Sequence, residues 1–281
     1  MNTDELKKIE LFLFDMDGTL YIGERLFDFT KELLYTIRKN GADYLFLTNN
    51  SSKSTSAYVE MLKRLGIEAE KSDFLTSTQA AAYYLKQNYP KARLYVCGTA
   101  SMKDELFENG FFVCENPSDA DCIVVGNDTE LTFKKLDDVS RLLQTRDIPY
   151  IATNPDYVCP TEYGYVPDCG SICDMLYNAS GKRPLYIGKP EPLMPYLAMK
   201  RKNVSKERTA VVGGGMRGML YALEAARNGR SVTLFESSDA LGGRLCALAR
   251  PTINSSINNY LSSLRKRVAE CSNITVRLST R

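Results

Sequence analysis

The stretch Leu11-Phe-Leu-Phe-Asp15-Met-Asp17-Gly18-Thr19-Leu20 constrains this chain more than any other. Four apolar residues in a row predict a buried strand of a parallel sheet. The chain then presents two carboxylates one residue apart, followed by a glycine and a threonine. Acids at i and i+2 where a parallel strand ends lie in the crevice where open α/β sheets carry their chemistry. One can attack while the other moves protons, and a divalent cation can hold the pair together against like-charge repulsion. Taken alone, the same residues also suit a simple turn.

The periodicity that follows is that of a doubly wound sheet. Phe29–Asn40 predicts a helix through Leu33, Leu34 and Ile37, closed by Gly41. A second buried strand, Tyr44–Thr48, ends in Thr-Asn-Asn-Ser-Ser, and a helix over about Thr55–Leu65 is closed by Gly66. Strand–helix–strand–helix with short connections specifies parallel strands. Phe74-Leu-Thr-Ser and an Ala-rich helix at 78–87 add one more unit. After Asn88-Tyr-Pro-Lys come further strands at Arg93–Val96, Asp121–Val125 and Pro149–Ala152, with helices near 101–109 and 132–144 between them. This is a second α/β unit inserted into the first, ending near Gly181-Lys-Arg-Pro184. The chain returns with Leu185-Tyr-Ile-Gly-Lys189-Pro, a helix through Met194–Arg201 and the strand Thr209–Val212. The expected domains are therefore 1–87, 88–182 and 183–281, the outer two forming one body.

Composition narrows the chemistry. Net charge over the 281 residues is +2, which gives no reason to expect nucleic acid or an anionic membrane as partner. No apolar run approaches membrane-spanning length, and the charged N-terminus carries no apolar stretch, so no secretion signal is expected. Histidine is absent, so acid/base work near neutral pH falls to carboxylates, Lys, Tyr or Cys. The eight cysteines form no CxxC pair and predict reduced packing residues of a cytoplasmic protein. Cys169 and Cys173 fit one helix face but have no second pair with which to build a zinc site. Nothing in the sequence speaks to oligomeric state.

DMDGT at 15–19, LTNNSS at 47–52, ATNPD at 152–156, PDCGSI at 167–172 and GKP at 188–190, in that order, resemble the class IIA branch of the haloacid dehalogenase superfamily. That branch holds the 4-nitrophenylphosphatase-like and phosphoglycolate phosphatase-like enzymes, and the resemblance covers about residues 8–212. It implies a doubly wound, Rossmann-like parallel sheet with an inserted α/β cap domain at 88–182 that closes over the core and selects the substrate. It also implies a hydrolase of small phosphate monoesters working through an aspartyl-phosphate. Asp15 would be the nucleophile, and Asp17 would protonate the leaving oxygen and then activate water. The Thr48 hydroxyl and the Asn49 backbone N–H would bind a phosphate oxygen, and the Lys189 ammonium would offset charge. Asn154, Asp156, Gly170 and Ser171 would lie near the cleft that takes the substrate. Asp15 and Asp17 would hold Mg²⁺.

The pattern breaks at the family's fourth motif. After the strand ending at Gly213 an Asp should complete the metal site, with a second acid five residues on. Those positions here are Gly214 and Met219. A hard cation depends on carboxylate oxygens, so Mg²⁺ should bind weakly and the activity should be low or absent. A different signature stands there. Gly213-Gly-Gly215-Met-Arg-Gly218 is a GxGxxG turn between a strand and an amphipathic helix, and a second strand at 231–235 ends in Glu236, followed by Gly242-Gly243. Gly213 would make the tight turn, Gly215 would let the backbone approach a pyrophosphate, and Gly218 would pack helix on strand. Glu236 would accept a ribose hydroxyl. Residues 208–281, with the Gly243 pair, resemble the FAD-binding start of flavoprotein reductases, which makes FAD or NAD a candidate cofactor. Arg217 is bulkier than the small residue usual in such a turn. The chain thus reads as a phosphatase front joined to a flavoprotein beginning, at the strand–glycine element both share. An impaired phosphatase, a nucleotide-binding βαβ protein and a folded, inactive hybrid remain as alternatives. In the sheet, strand 209–212 should sit beside 11–14, with 231–235 outside it and 274–278 outside that.

Overall fold

The computed structural model describes residues 8–212, 216–227, 232–236, 239–242 and 255–279. They fall into two compact units. One takes in Met1–Asp15, Ile37–Tyr44 and Met199–Arg281, and the other Met16–Thr36 and Leu45–Ala198.

In the first unit the strand Leu11–Asp15 pairs in parallel with Thr209–Val212, Leu11 lying opposite Thr209 and Phe14 opposite Val212. Leu11, Leu13 and Phe14 are fully buried, as the apolar run required. The strand Asp43–Thr48 starts here too, the Asp43 N–H donating to the Glu10 carbonyl at 2.8 Å. The helix Met216–Arg227 turns Met219, Ala222 and Leu223 toward Leu261, Leu264 and Val268 of the helix Ser255–Glu270. Both stripes bury against Leu234 of the strand Val232–Phe235. That strand pairs in parallel with Ile274–Arg277, as expected, with Val232 opposite Ile274. The two form a ladder of their own rather than extending outward from Thr209–Val212. Their own helix-on-strand core holds them, so no hydrogen-bonded ladder to the neighbouring strand is needed.

In the second unit Asp43–Thr48 continues, and Phe46 to Thr48 pair in parallel with Phe74–Thr76. Thr76 caps the helix Ser77–Asn88, its Oγ1 accepting the Gln79 N–H at 3.0 Å, and Ser54 caps Thr55–Arg64. A separate five-stranded parallel sheet runs in the order Leu185–Tyr186, Tyr150–Ala152, Cys122–Val125, Arg93–Cys97, Phe112–Val113. The helices Phe133–Thr145 and Cys169–Ser180 cover it through Val139, Leu142, Ile172 and Leu176. These strands and helices thus share a sheet and an apolar core of their own. The segment at 185–186, read above as the chain's return, pairs with this sheet's Tyr150–Ala152.

The helix Cys169–Ser180 and the hairpin Val158–Thr161/Gly164–Pro167 were not anticipated as elements. The helix carries its signals in the sequence. Buried residues 169, 172, 173 and 176 follow helical spacing, Asp168 precedes the first turn, and Gly181 closes the last with φ +70°. All described cysteines are free thiols, and only Cys271 is less than buried. Among the described residues no helix is long and apolar enough to cross a membrane.

Candidate active site

Thr48 closes a buried strand, and its hydroxyl is turned back onto its own chain. Its Oγ1 accepts the Asn50 N–H at 3.1 Å, a side-chain turn that holds the Thr-Asn-Asn segment in one path. The Tyr58 hydroxyl donates to the Asn50 carbonyl at 3.2 Å from the other side. Burial holds the Tyr58 phenol well above its usual range, and the Asp17 carboxylate pushes it further, while the Thr48 hydroxyl beside it pulls back. The phenol thus stays protonated and remains a donor. Tyr58 therefore feels both Asp17 and Thr48.

Lys189 is brought to the same strand from 142 residues away. Its Nζ donates to the Leu47 carbonyl at 2.9 Å, so its ammonium lies one residue from Thr48. Its own peptide is gripped by Asn49. The Lys189 N–H donates to Asn49 Oδ1 at 2.8 Å, and Asn49 Nδ2 donates to the Lys189 carbonyl at 2.8 Å. Asn49 Nδ2 also donates to Asp156 Oδ2 at 2.9 Å. The Asn49 carbonyl takes the Asn154 amide at 2.7 Å and the Ser77 hydroxyl at 2.6 Å. Asn154 in turn accepts the Asp156 N–H at 2.9 Å. Asn49 and Asn154 are wholly buried, and Lys189 and Asp156 are 7% and 6% exposed. Gly188 is fixed by the close approach of these groups, since a Cβ there would lie 2.6 Å from the Thr153 carbonyl and 2.7 Å from Asn49 Oδ1.

The structure thus brings Asn49, Asn154, Asp156 and Lys189 into one buried network beside Thr48. Asp15 is the last residue of its strand, and Asp17 follows in a turn that Gly18 makes with φ +81°. Gly170 and Ser171 serve the loop next to the network. The Ser171 hydroxyl donates to the Tyr157 carbonyl at 2.5 Å and the Gly170 N–H to the Asp156 carbonyl at 2.7 Å. Gly213, Gly214, Gly215 and Gly243 lie outside the described residues. Gly218 falls in the helix Met216–Arg227, and Glu236 is buried just after its strand, its N–H on the Arg277 carbonyl at 2.9 Å. Among the described residues no group of three or more His, Cys, Asp or Glu side chains is placed to hold a metal ion. Tyr58, Ser77 and Gly188 escaped the sequence reading. Gly188 had a signal in its place before Lys189-Pro190, whereas Tyr58 and Ser77 sit at helix positions that nothing in the sequence ties to residues 48–50.

Two family models match along the chain. A haloacid dehalogenase-like hydrolase model matches residues 12–112, and a FAD dependent oxidoreductase model matches 209–275. The acid sugar phosphatase of Staphylococcus aureus is 32% identical over 208 residues, covering 74% of this chain and 80% of that protein. The crystal structure of 4-nitrophenylphosphatase from Thermotoga maritima superposes with a TM-score of 0.76 at 33% identity, over 82% of this chain and 87% of that one. The glycerol phosphate phosphatase of Mycobacterium tuberculosis, solved with calcium, gives 0.72 at 27% identity, over 82% of this chain and 67% of that one.

Proposed function

The chain belongs to the haloacid dehalogenase-like hydrolases, and from that premise we propose that it is a phosphatase of small phosphate monoesters, working through an aspartyl-phosphate at reduced efficiency. An Asp15 carboxylate oxygen attacks phosphorus as the bond to the ester oxygen breaks, and Asp17 gives its proton to that oxygen. Asp17 then takes a proton from water, whose oxygen attacks the aspartyl-phosphate, releasing inorganic phosphate and restoring Asp15. The Thr48 hydroxyl and the Asn49 N–H donate to non-bridging oxygens, and the Lys189 ammonium offsets the charge gathering there. The inserted α/β unit, residues 88–182, serves as the cap that selects the ester. The observation that supports this reading is the junction of Lys189 with Leu47–Asn49, where the buried lysine's Nζ donates to the carbonyl of the residue before Thr48.

Asp15 and the backbone carbonyl of Asp17 are oxygen donors of the kind Mg²⁺ takes, and they are the residues that would hold it. Such an ion neutralises charge on a transferring phosphoryl group. The second anionic donor is missing from the sequence, where Gly214 stands, so the affinity is low and turnover suffers with it.

Hydrolysis of 4-nitrophenyl phosphate, followed against Mg²⁺ concentration with Asp15→Asn as control, tests the proposal. Turnover that rises with Mg²⁺ and disappears in the variant supports it, and turnover equal in both overturns it. A second reading rests on the glycine-rich turn and the match at 209–275, which make FAD or NAD binding the alternative. Stoichiometric flavin carried through purification would favour that reading. Neither turnover nor bound nucleotide would leave a folded, inactive hybrid.

A further inference from the structure

We propose that Asn49 and Asp156 are positioning residues for Lys189, Asp156 reinforcing the one orientation of the Asn49 amide that grips the Lys189 peptide. The two ends of an asparagine amide are nearly equal in shape and opposite in hydrogen bonding, so only its neighbours can choose its orientation. Here each neighbour makes a one-sided demand. The Lys189 N–H can only donate, and it meets Asn49 Oδ1 at 2.8 Å. The Asp156 carboxylate and the Lys189 carbonyl accept, and both meet Asn49 Nδ2, at 2.9 Å and 2.8 Å. Turning the amide over would lose all three bonds at once and set oxygen against oxygen. Asn49 is wholly buried and Asp156 nearly so, which leaves no solvent to repair the loss.

The consequence reaches the ammonium. Asn49 holds the Lys189 peptide on both its N–H and its carbonyl, while the Nζ rests on the Leu47 carbonyl at 2.9 Å. Both ends of the lysine are thereby tied to the single segment Leu47–Asn49. Gly188, wedged against the Thr153 carbonyl and Asn49 Oδ1, leaves the preceding peptide no room to slip. A long side chain that would otherwise sample many rotamers is presented at one reach and one height, which is the condition for a preorganised cation. Asn49 therefore spends its side chain on Lys189, and only its backbone N–H remains for a phosphate oxygen. Asp156, from the loop after Tyr150–Ala152, is coupled to that lysine through a single amide. For its effect on turnover, though not on geometry, this rests on the phosphatase reading above.

The test is lysine acetylation on the intact chain, read peptide by peptide by mass spectrometry, with Lys266, whose side chain is 73% exposed, as internal reference. Wild-type Lys189 should react far more slowly than Lys266. Asp156→Ala should speed Lys189 by about tenfold, the scale of one buried hydrogen bond lost, and Asn49→Ala, which removes three, by more, both leaving Lys266 unchanged. Asp156→Asn keeps an acceptor oxygen facing Nδ2 and should restore most of the protection, which a general loosening of the fold would not do. If Asn49→Ala does not fold, the Asp156→Ala and Asp156→Asn pair decides alone. Unchanged Lys189 reactivity in variants with wild-type circular dichroism overturns the proposal. Hydrolysis of 4-nitrophenyl phosphate by the same proteins separates the two ideas. Shifted labelling without wild-type turnover keeps the positioning role and removes the phosphatase, and turnover with unshifted labelling does the reverse.

Discussion

Lys189 and Asp17 give the proposed chemistry its single-residue tests. Lys189→Ala should lower kcat/KM for 4-nitrophenyl phosphate by about 10²–10³-fold, the usual cost of removing one group that stabilises transition-state charge. Asp17→Asn should lower kcat by about 10²–10⁴-fold, the range of general acid–base assistance, and steady-state kinetics measure both. Gly214→Asp works in the other direction. It returns an anionic oxygen to the fourth motif, so Mg²⁺ affinity should rise by about tenfold or more, with turnover rising alongside. A Mg²⁺ titration of activity that shows the same midpoint in both proteins would mean that position 214 is not the missing ligand. At this scale the sequence was legible where residues sit in short motifs, since the LTNNSS and GKP segments do meet through Lys189 and Leu47, while the roles of Asp15 and Asp17 belong to the proposal. It was not legible where a side chain's use depends on partners more than a hundred residues away. Asn49 belonged to the LTNNSS motif, but nothing there says that its amide closes on Lys189 and Asp156.

Helices and strands were legible through their period, and their connections through caps. The helices at 55–64, 77–88 and 133–145 lie within a residue or so of the ranges read from spacing. The helix 169–180 is hidden in the sequence because half of its buried stripe, Cys169 and Cys173, is cysteine, a residue that packs equally well in strands and loops. A brace among three helices was equally hidden. Glu105 is 3% exposed, and its carboxylate takes the Thr55 hydroxyl, the Thr55 N–H at 3.3 Å and the Thr76 hydroxyl at 3.3 Å. One buried acid thus serves the starts of two other helices, where their dipoles favour negative charge. Burial nevertheless dominates and raises its pKa above 4.5, the hydrogen bonds pulling it only part of the way back. The folded state therefore holds the proton more tightly than the unfolded chain. Glu105 contributes most below its unfolded pKa, and that contribution is lost as pH rises through the folded value. Urea midpoints measured against pH for the wild type and Glu105→Gln should differ by a component that falls with rising pH from the carboxylate range upward. Parallel profiles would show that Glu105 does not titrate in the fold. Gly188→Ala belongs to this scale as well. A Cβ against the Thr153 carbonyl forces the backbone to move and should cost about 1–3 kcal/mol of unfolding free energy, measured by denaturant titration.

Over the whole molecule, two resemblances meet near one strand. The phosphatase-like pattern read from the sequence runs to about residue 212, and the match to the FAD dependent oxidoreductase model begins at residue 209. That strand is also the parallel partner of Leu11–Asp15 in the first unit. The second match thus begins at a strand that the first unit already uses beside its own first strand. What the sequence could not tell was how the later strands would dock, because burial of a helix stripe can be satisfied by a separate two-stranded ladder as well as by a continuous sheet. The segment is nonetheless expected to matter to the fold more than to cofactor binding. FAD should bind no more tightly than about 100 μM, since a site that covers little of its ligand yields little affinity, and fluorescence titration would measure it. Truncation after residue 207 should do far more damage. It removes the strand opposite Leu11–Phe14 and leaves fully buried Leu11 and Leu13 beside an open edge. An apolar strand with unpaired N–H and carbonyl groups is a template for association. The truncated chain should accumulate as aggregate, and any soluble fraction should run as large species in size-exclusion chromatography while the full chain does not. A truncated protein that stays monodisperse, with an unchanged unfolding midpoint, would show that the flavoprotein-like segment is an appendage and that the first strand finds its stability elsewhere.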